Sequence, residues 1–124
     1  MRQVFRFREF PVYKEAREFR KNLKKLAREK FPSEEKYCLR SQLFRALDSI
    51  LLNIAEGSER YSDTDFSRFL NTAIGSLAEV IACLDAATDD EYITLEEMSN
   101  YLIHAENIVK QLKAFSAKVR NQTK

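Results

Sequence analysis

The chain has 124 residues, 44% apolar and 32% charged, with a formal net charge of +2. That length suits one domain with a single core. Two Gly and two Pro punctuate too sparsely for a strand-and-turn protein, so long helices are expected. No apolar run reaches the ~18–20 residues of a spanning helix. The basic start, Met1-Arg2-Gln3-Val4-Phe5-Arg6, leads into no apolar leader, so a cytoplasmic protein without membrane attachment is expected.

Residues 1–10 read as an extended arm in which Phe5, Phe7 and Phe10 alternate with charged residues. A first helix is expected over about 11–30, opening on Pro11, whose missing N–H has no intrahelical partner there. Val12, Ala16, Phe19, Leu23 and Leu26 form its core face. Lys14, Arg17, Lys21, Lys24 and Arg28 fall within a roughly 80° arc centred about 160° from that face, one continuous basic stripe.

Phe31-Pro32 stops this helix, and Ser33 followed by Glu34 and Glu35 reads as the cap of a second, over about 34–56. Gly57 is expected as its left-handed C-cap. Leu39, Leu43, Ala46, Leu47, Ile50, Leu51 and Ile54 spread over about half its circumference. That arc exceeds a usual core stripe and points to a subunit interface. A third helix, about 63–88, opens on Ser62 and carries Phe66, Leu70, Ala73, Leu77, Val80, Leu84 and Ala87 at a/d spacing. The acidic run Asp89-Asp90-Glu91 is a turn. Thr94-Leu95-Glu96-Glu97 is a capping box opening a fourth helix, about 95–120, with Met98, Leu102, Ala105, Val109 and Leu112 on its seam. The fold class is all-α: an antiparallel up-down-up-down four-helix bundle, one domain over residues 1–124.

Charge is unevenly placed along these elements. Residues 1–30 hold eleven Lys and Arg against four acids, residues 61–106 one Arg against ten acids, and residues 107–124 five bases and no acid. Such asymmetry suits an anionic partner or self-association of complementary faces.

Site chemistry is sparse. His104 is the single histidine, and no Glu-x-x-His motif exists, so a di-metal bundle centre is not expected. Neither metal nor cofactor is expected. Cys38 and Cys83 read as free, buried thiols, and Gly57 and Gly75 alone cannot build a phosphate-cradling loop. No catalytic residue is expected. Glu56 and Glu79 would need a shared pocket to act as paired carboxylates. Two polar stripes accompany the apolar faces: Gln42, Arg45, Ser49, Asn53, Glu56 and Arg60, then Asp65, Arg68, Thr72, Ser76 and Glu79. Periodicity favours solvated i,i+4 pairs over a buried or interfacial hydrogen-bonded network that fixes helix register or subunit docking.

The segments Ser41-Gln42-Leu43-Phe44-Arg45-Ala46, Ser49-Ile50, Asn53-Ile54-Ala55-Glu56-Gly57-Ser58 with Arg60, and Ala73-Ile74-Gly75-Ser76-Leu77-Ala78-Glu79 resemble a signature. It is that of the four-helix-bundle family of 23S ribosomal-RNA intervening-sequence proteins. The early Phe10-Pro11-Val12-Tyr13-Lys14-Glu15-Ala16 matches as well. The resemblance implies an antiparallel bundle assembling as a ring-shaped homopentamer without enzyme activity. It also implies kinship with the accessory variability protein of diversity-generating retroelements, a basic pentamer that associates with a reverse transcriptase and nucleic acid. Ser49, Asn53, Glu56, Gly57, Arg60, Gly75, Ser76 and Glu79 carry the signature here. Leu51 and Leu52 replace residues that would kink or polarise the second helix, so its outer face should be stickier.

Together these readings give a non-enzymatic homo-oligomer that binds RNA or another nucleic acid through Lys14, Arg17, Lys21, Lys24 and Arg28. Arg6, Arg8, Lys110, Lys113 and Lys118 would extend that surface. The alternative is a scaffold for a protein partner, such as a reverse transcriptase.

Overall fold

Local signals decide where the first, third and fourth helices begin. The computed structural model describes residues 4–121, so the outermost residues of the expected arm and tail, 1–3 and 122–124, lie outside the described residues. Pro11 occupies the first position of α1 (Pro11–Lys30), where its fixed φ already suits a helix. The other helices are α2 (Leu39–Ser58), α3 (Asp63–Asp89) and α4 (Leu95–Asn121). Ser62 Oγ accepts from Asp65 N at 3.1 Å to cap α3. At α4, Thr94 N donates to Glu97 Oε1 at 2.9 Å and Glu97 N to Thr94 Oγ1 at 3.1 Å, a reciprocal capping box.

The helices form an all-α bundle in which α3 packs most closely on α2 and α4, and α1 closes the square against the same two. Phe19, Leu23, Leu43, Leu47, Ile50, Ile54, Leu70, Leu77, Leu84, Ile108 and Leu112 are fully buried, each side chain contributing about 1.5–3 kcal/mol of transfer free energy. By length and composition alone α3 could cross a membrane, although polar residues interrupt its apolar run. Here its apolar residues Leu70, Ala73, Leu77, Val80, Leu84 and Ala87 are buried in the bundle.

Aromatic groups close both ends. At one end Phe10 lies 5.0 Å from Phe115 and 6.4 Å from Phe66, ring centre to ring centre. Arg6 Nη2 donates to the Ser58 carbonyl there at 3.2 Å, satisfying a free acceptor at the end of α2. At the other end the Tyr92 hydroxyl donates to Glu35 Oε2 at 2.7 Å, and its ring meets Phe31 at 5.7 Å. The bond to that carboxylate, then burial, pushes the Tyr92 hydroxyl up to about 12.

Several local expectations are corrected. The arm is not extended: Arg6–Glu9 forms a 3₁₀ turn. The second helix starts at Leu39 rather than near 34. Ser33–Glu35 is a separate 3₁₀ turn whose leading Ser caps nothing, and the Glu35 carboxylate instead accepts from Leu39 N at 3.2 Å. Gly57 is not left-handed. It is buried inside α2, where a Cβ would stand 2.6 Å from Phe69 Cβ, so the chain needs glycine for close approach of α2 and α3. The left-handed position is Glu91, with φ 65°. Tyr92 N→Ala87 O at 2.8 Å and Glu91 N→Thr88 O at 3.0 Å form a Schellman closure of α3.

The wide apolar arc of α2 is mostly covered within one chain. Leu43, Ala46, Leu47, Ile50 and Ile54 are buried and Leu39 and Leu51 half-buried, because α1, α3 and the 3₁₀ turn of the arm all pack on α2. Leu52, 66% exposed, is left outside. Cys83 is buried, and burial pushes its thiol up. Cys38 is exposed rather than buried, because it precedes α2 in the joint.

Candidate nucleic-acid interface

The five cations of the α1 stripe have three different fates. Arg17 and Lys21 are exposed and, among the described residues, form no ion pair. With Lys14, Arg20 and the acid Glu18 they line a shallow concavity. Lys14 is exposed and pairs with Glu9 at 3.5 Å. Lys24 leaves the surface altogether. Only 11% of its side chain is exposed, and Nζ donates to Asp48 Oδ1 at 2.7 Å. It sits at the edge of the basic arc where α2 packs, and Asp48 on α2 supplies the charge that burial requires.

Arg20, outside the expected stripe, shares the same acceptor, with Nε 2.7 Å from Asp48 Oδ1. Burial raises the Asp48 carboxyl, but hydrogen bonds and charge from Lys24 and Arg20 outweigh it and hold the group below its ordinary value of 3.8. This acid thus neutralises part of the basic helix. No helical-wheel reading of α1 could show that, because the acid belongs to α2.

Arg28 is exposed, and its guanidinium carbon lies 5.2 Å from the centre of the Phe44 ring. Arg40 on α2 approaches the same ring at 5.4 Å and Lys24 Nζ at 4.8 Å. Neither Arg28 nor Arg40 has a carboxylate partner among the described residues. The sequence reading missed Arg40. Its spacing of four residues from Phe44 places both on one helix face, which is the signal that could have found it.

The proposed extensions divide. Lys118 lies beside Phe10, Pro11 and Val12 at the start of α1, so the end of α4 approaches the start of α1 but on its core side, away from the stripe. Lys110 and Lys113 do not join it either. They border an apolar groove of about 440 Å³ between α3 and α4, floored by Ile74, Leu77, Ile81 and Leu102. Arg6 bonds Ser58 and packs against Phe10 and Phe66, and Arg8 is exposed.

The signature residues form a bridge between α2 and α3. Ser49 Oγ and buried Ser76 Oγ are 2.7 Å apart, and Asn53 Nδ2 donates to Ser49 O at 2.8 Å and to its Oγ at 3.0 Å. Ser76 Oγ also donates to Thr72 O at 3.2 Å. The middle of the two polar stripes is therefore an interhelical network, contrary to what periodicity favoured. Serines facing each other across a close helix pair bond one another instead of water. The stripe ends are solvated pairs: Arg60–Glu56 at 3.2 Å and Arg68–Asp65 at 3.6 Å. Arg60 also covers the Phe69 ring at 4.7 Å. Glu56 and Glu79 are exposed, Glu56 in its pair with Arg60. Gly75 is exposed, and a Cβ there would meet nothing within 4 Å.

Polar groups also tie α1 to α4. Glu15 accepts from Asn107 Nδ2 at 2.9 Å and from Gln111 Nε2, and His104 Nε2 lies 3.5 Å from it. His104 meets Phe19 edge-on at 5.2 Å, a boundary residue between core and solvent. Among the described residues, no group of three His, Cys, Asp or Glu side chains is placed to hold a metal.

A solved structure of similar shape comes from Bacteroides thetaiotaomicron, a protein of unknown function from the S23 ribosomal protein family. It superposes with a TM-score of 0.73 at 27% identity, covering 85% of this chain and 97% of that one. No curated protein matches the chain. The family model of the 23S rRNA-intervening sequence protein matches residues 8–114. That span runs from the arm through the Ser49–Ser76 bridge to the last turns of α4, and the chain belongs to this family.

Proposed function

We propose that this chain is a non-enzymatic, ring-forming bundle, a homopentamer, that holds RNA by phosphate contacts through Arg17, Lys21 and Arg28. The observation carrying this reading is selective neutralisation. Asp48 ties up Arg20 and Lys24, while Arg17, Lys21 and Arg28 stay exposed without a carboxylate partner among the described residues. Over the ~16 Å that these three span at 1.5 Å per residue, one copy meets few phosphates and grips weakly. Repetition around a ring makes each further contact intramolecular and raises avidity without new chemistry. Phosphate contacts of this kind position RNA without reading its bases.

Binding of a labelled RNA measured against salt tests the reading. Log affinity falls linearly with log salt, and an Arg17→Gln/Lys21→Gln variant lowers the slope by about one per lost phosphate contact. Absence of binding at low salt, or a stable monomer by sedimentation, overturns it.

A second reading is a scaffold for a protein partner, in keeping with the kinship to the accessory variability protein that the sequence resemblance implies. The apolar groove between α3 and α4, bordered by Lys110 and Lys113, favours it. Substituting Ile81→Glu in that groove would then abolish partner capture and leave RNA affinity unchanged.

A further inference from the structure

The cluster at Phe44 has a geometry that phosphate contact alone does not require. Lys24, Arg28 and Arg40 approach one ring from two helices, at 4.8, 5.2 and 5.4 Å from its centre. Lys24 is compensated by Asp48, but the two guanidinium groups are not compensated by any described carboxylate. Their carbons are no further apart than the sum of their distances to the ring. Two uncompensated guanidinium groups sharing one ring make a local positive potential that attracts an anion. A guanidinium resting on a ring keeps its other face and its in-plane N–H donors available. The free face accepts a stacked base, and the donors match a phosphate. Arg28 is exposed, and Arg40 and Phe44 are half-buried, so the cluster opens to solvent on a fixed platform.

We propose that Arg28, Arg40 and Phe44 form a subsite for one unpaired nucleotide, its base stacked on one guanidinium and its phosphate held by the other. This rests on the RNA-binding reading and sharpens it: the RNA engaged is single-stranded, because a duplex keeps its bases stacked and paired. Arg17 and Lys21, two to three turns earlier on α1, hold the neighbouring phosphates and do not distinguish strand states.

Fluorescence anisotropy with a labelled oligouridylate and a labelled RNA duplex of equal length tests the subsite. The variants are Arg28→Lys/Arg40→Lys, which keeps charge and removes the planar stacking group, and Arg17→Gln/Lys21→Gln; helix content by circular dichroism checks each fold. The first variant weakens oligouridylate binding about tenfold with its salt slope and its duplex affinity unchanged. The second weakens both probes and flattens both slopes. If Arg28→Lys/Arg40→Lys leaves oligouridylate affinity intact, or weakens both probes equally, the subsite is overturned while the RNA reading stands. If the unaltered protein binds neither probe at low salt, both are overturned.

Discussion

The same substitution, Gly to Ala, should have opposite signs at the two glycines of this chain. Both lie inside helices, Gly57 in α2 and Gly75 in α3, so each gains about 0.5–1 kcal/mol from lower backbone entropy in the unfolded chain. They differ in what a Cβ meets. At Gly75 nothing lies within 4 Å, so the helix term stands alone. At Gly57 the added atom falls 2.6 Å from Phe69 Cβ, 3.1 Å from Phe66 Cδ1 and 3.3 Å from Phe69 Cγ. Phe69 Cβ is fixed to the backbone of α3 and cannot rotate away, so relief requires α2 and α3 to separate by about 1 Å to reach ordinary carbon contact. Overpacking of this kind costs about 1–3 kcal/mol; because the contact is with a Cβ that cannot yield, a mid-range cost of about 2 kcal/mol applies, and Gly57→Ala is net destabilised by about 1 kcal/mol.

For a chain of this size 1 kcal/mol shifts Tm by about 3–5 °C. Gly57→Ala should melt about 5 °C lower than the unaltered protein and Gly75→Ala about 3 °C higher. Thermal unfolding followed by circular dichroism, at one fixed protein concentration because assembly adds its own mass-action term, measures both. An unchanged Tm for Gly57→Ala would refute the close approach of α2 and α3. A lowered Tm for Gly75→Ala would show that the outer face of α3 is covered by another chain rather than open.

Asp48→Asn leaves the Lys24 ammonium buried beside a neutral amide and should destabilise the fold by about 1–3 kcal/mol, read by urea unfolding. Because the Asp48 carboxyl is held below 3.8, its contribution is complete above that value and is lost as pH falls through the lower folded value. Asp48→Asn should therefore flatten the acid limb of the stability curve, and an unchanged limb would contradict the assignment. Tyr92 has the opposite sign. Its hydroxyl moves from 10 to about 12, so the contribution of its bond to Glu35 holds below pH 10 and is lost as pH rises toward 12. Spectrophotometric titration should show a late-ionising component shared by Tyr92 and Tyr101, which burial also pushes up, and Tyr92→Phe should reduce that component and remove the stability lost in that window.

Much of the fold was legible because helix signals are local. Pro11, Ser62 and the Thr94–Glu97 box act within one turn, and the 3.6-residue period of Phe66, Leu70, Ala73 and Leu77 needs no knowledge of neighbours. Errors cluster where two distant segments compete for one group. Glu35 reads as part of a helix start, yet its carboxylate serves Leu39 N and the Tyr92 hydroxyl, 57 residues away. Gly57 reads as a left-handed C-cap because glycine so often ends helices; its neighbour Phe69, on α3, decides otherwise.

The basic surface divides the same way. Sequence alone determined that α1 carries a cationic arc opposite a core face, since that follows from residue type and helical period. Which of those charges are free was decided by tertiary structure. Asp48 removes Lys24 from the stripe and Phe44 draws Arg28 and Arg40 together, all across the α1–α2 packing. Helical period is a property of one segment, whereas neutralising a buried charge requires a partner that only packing brings near.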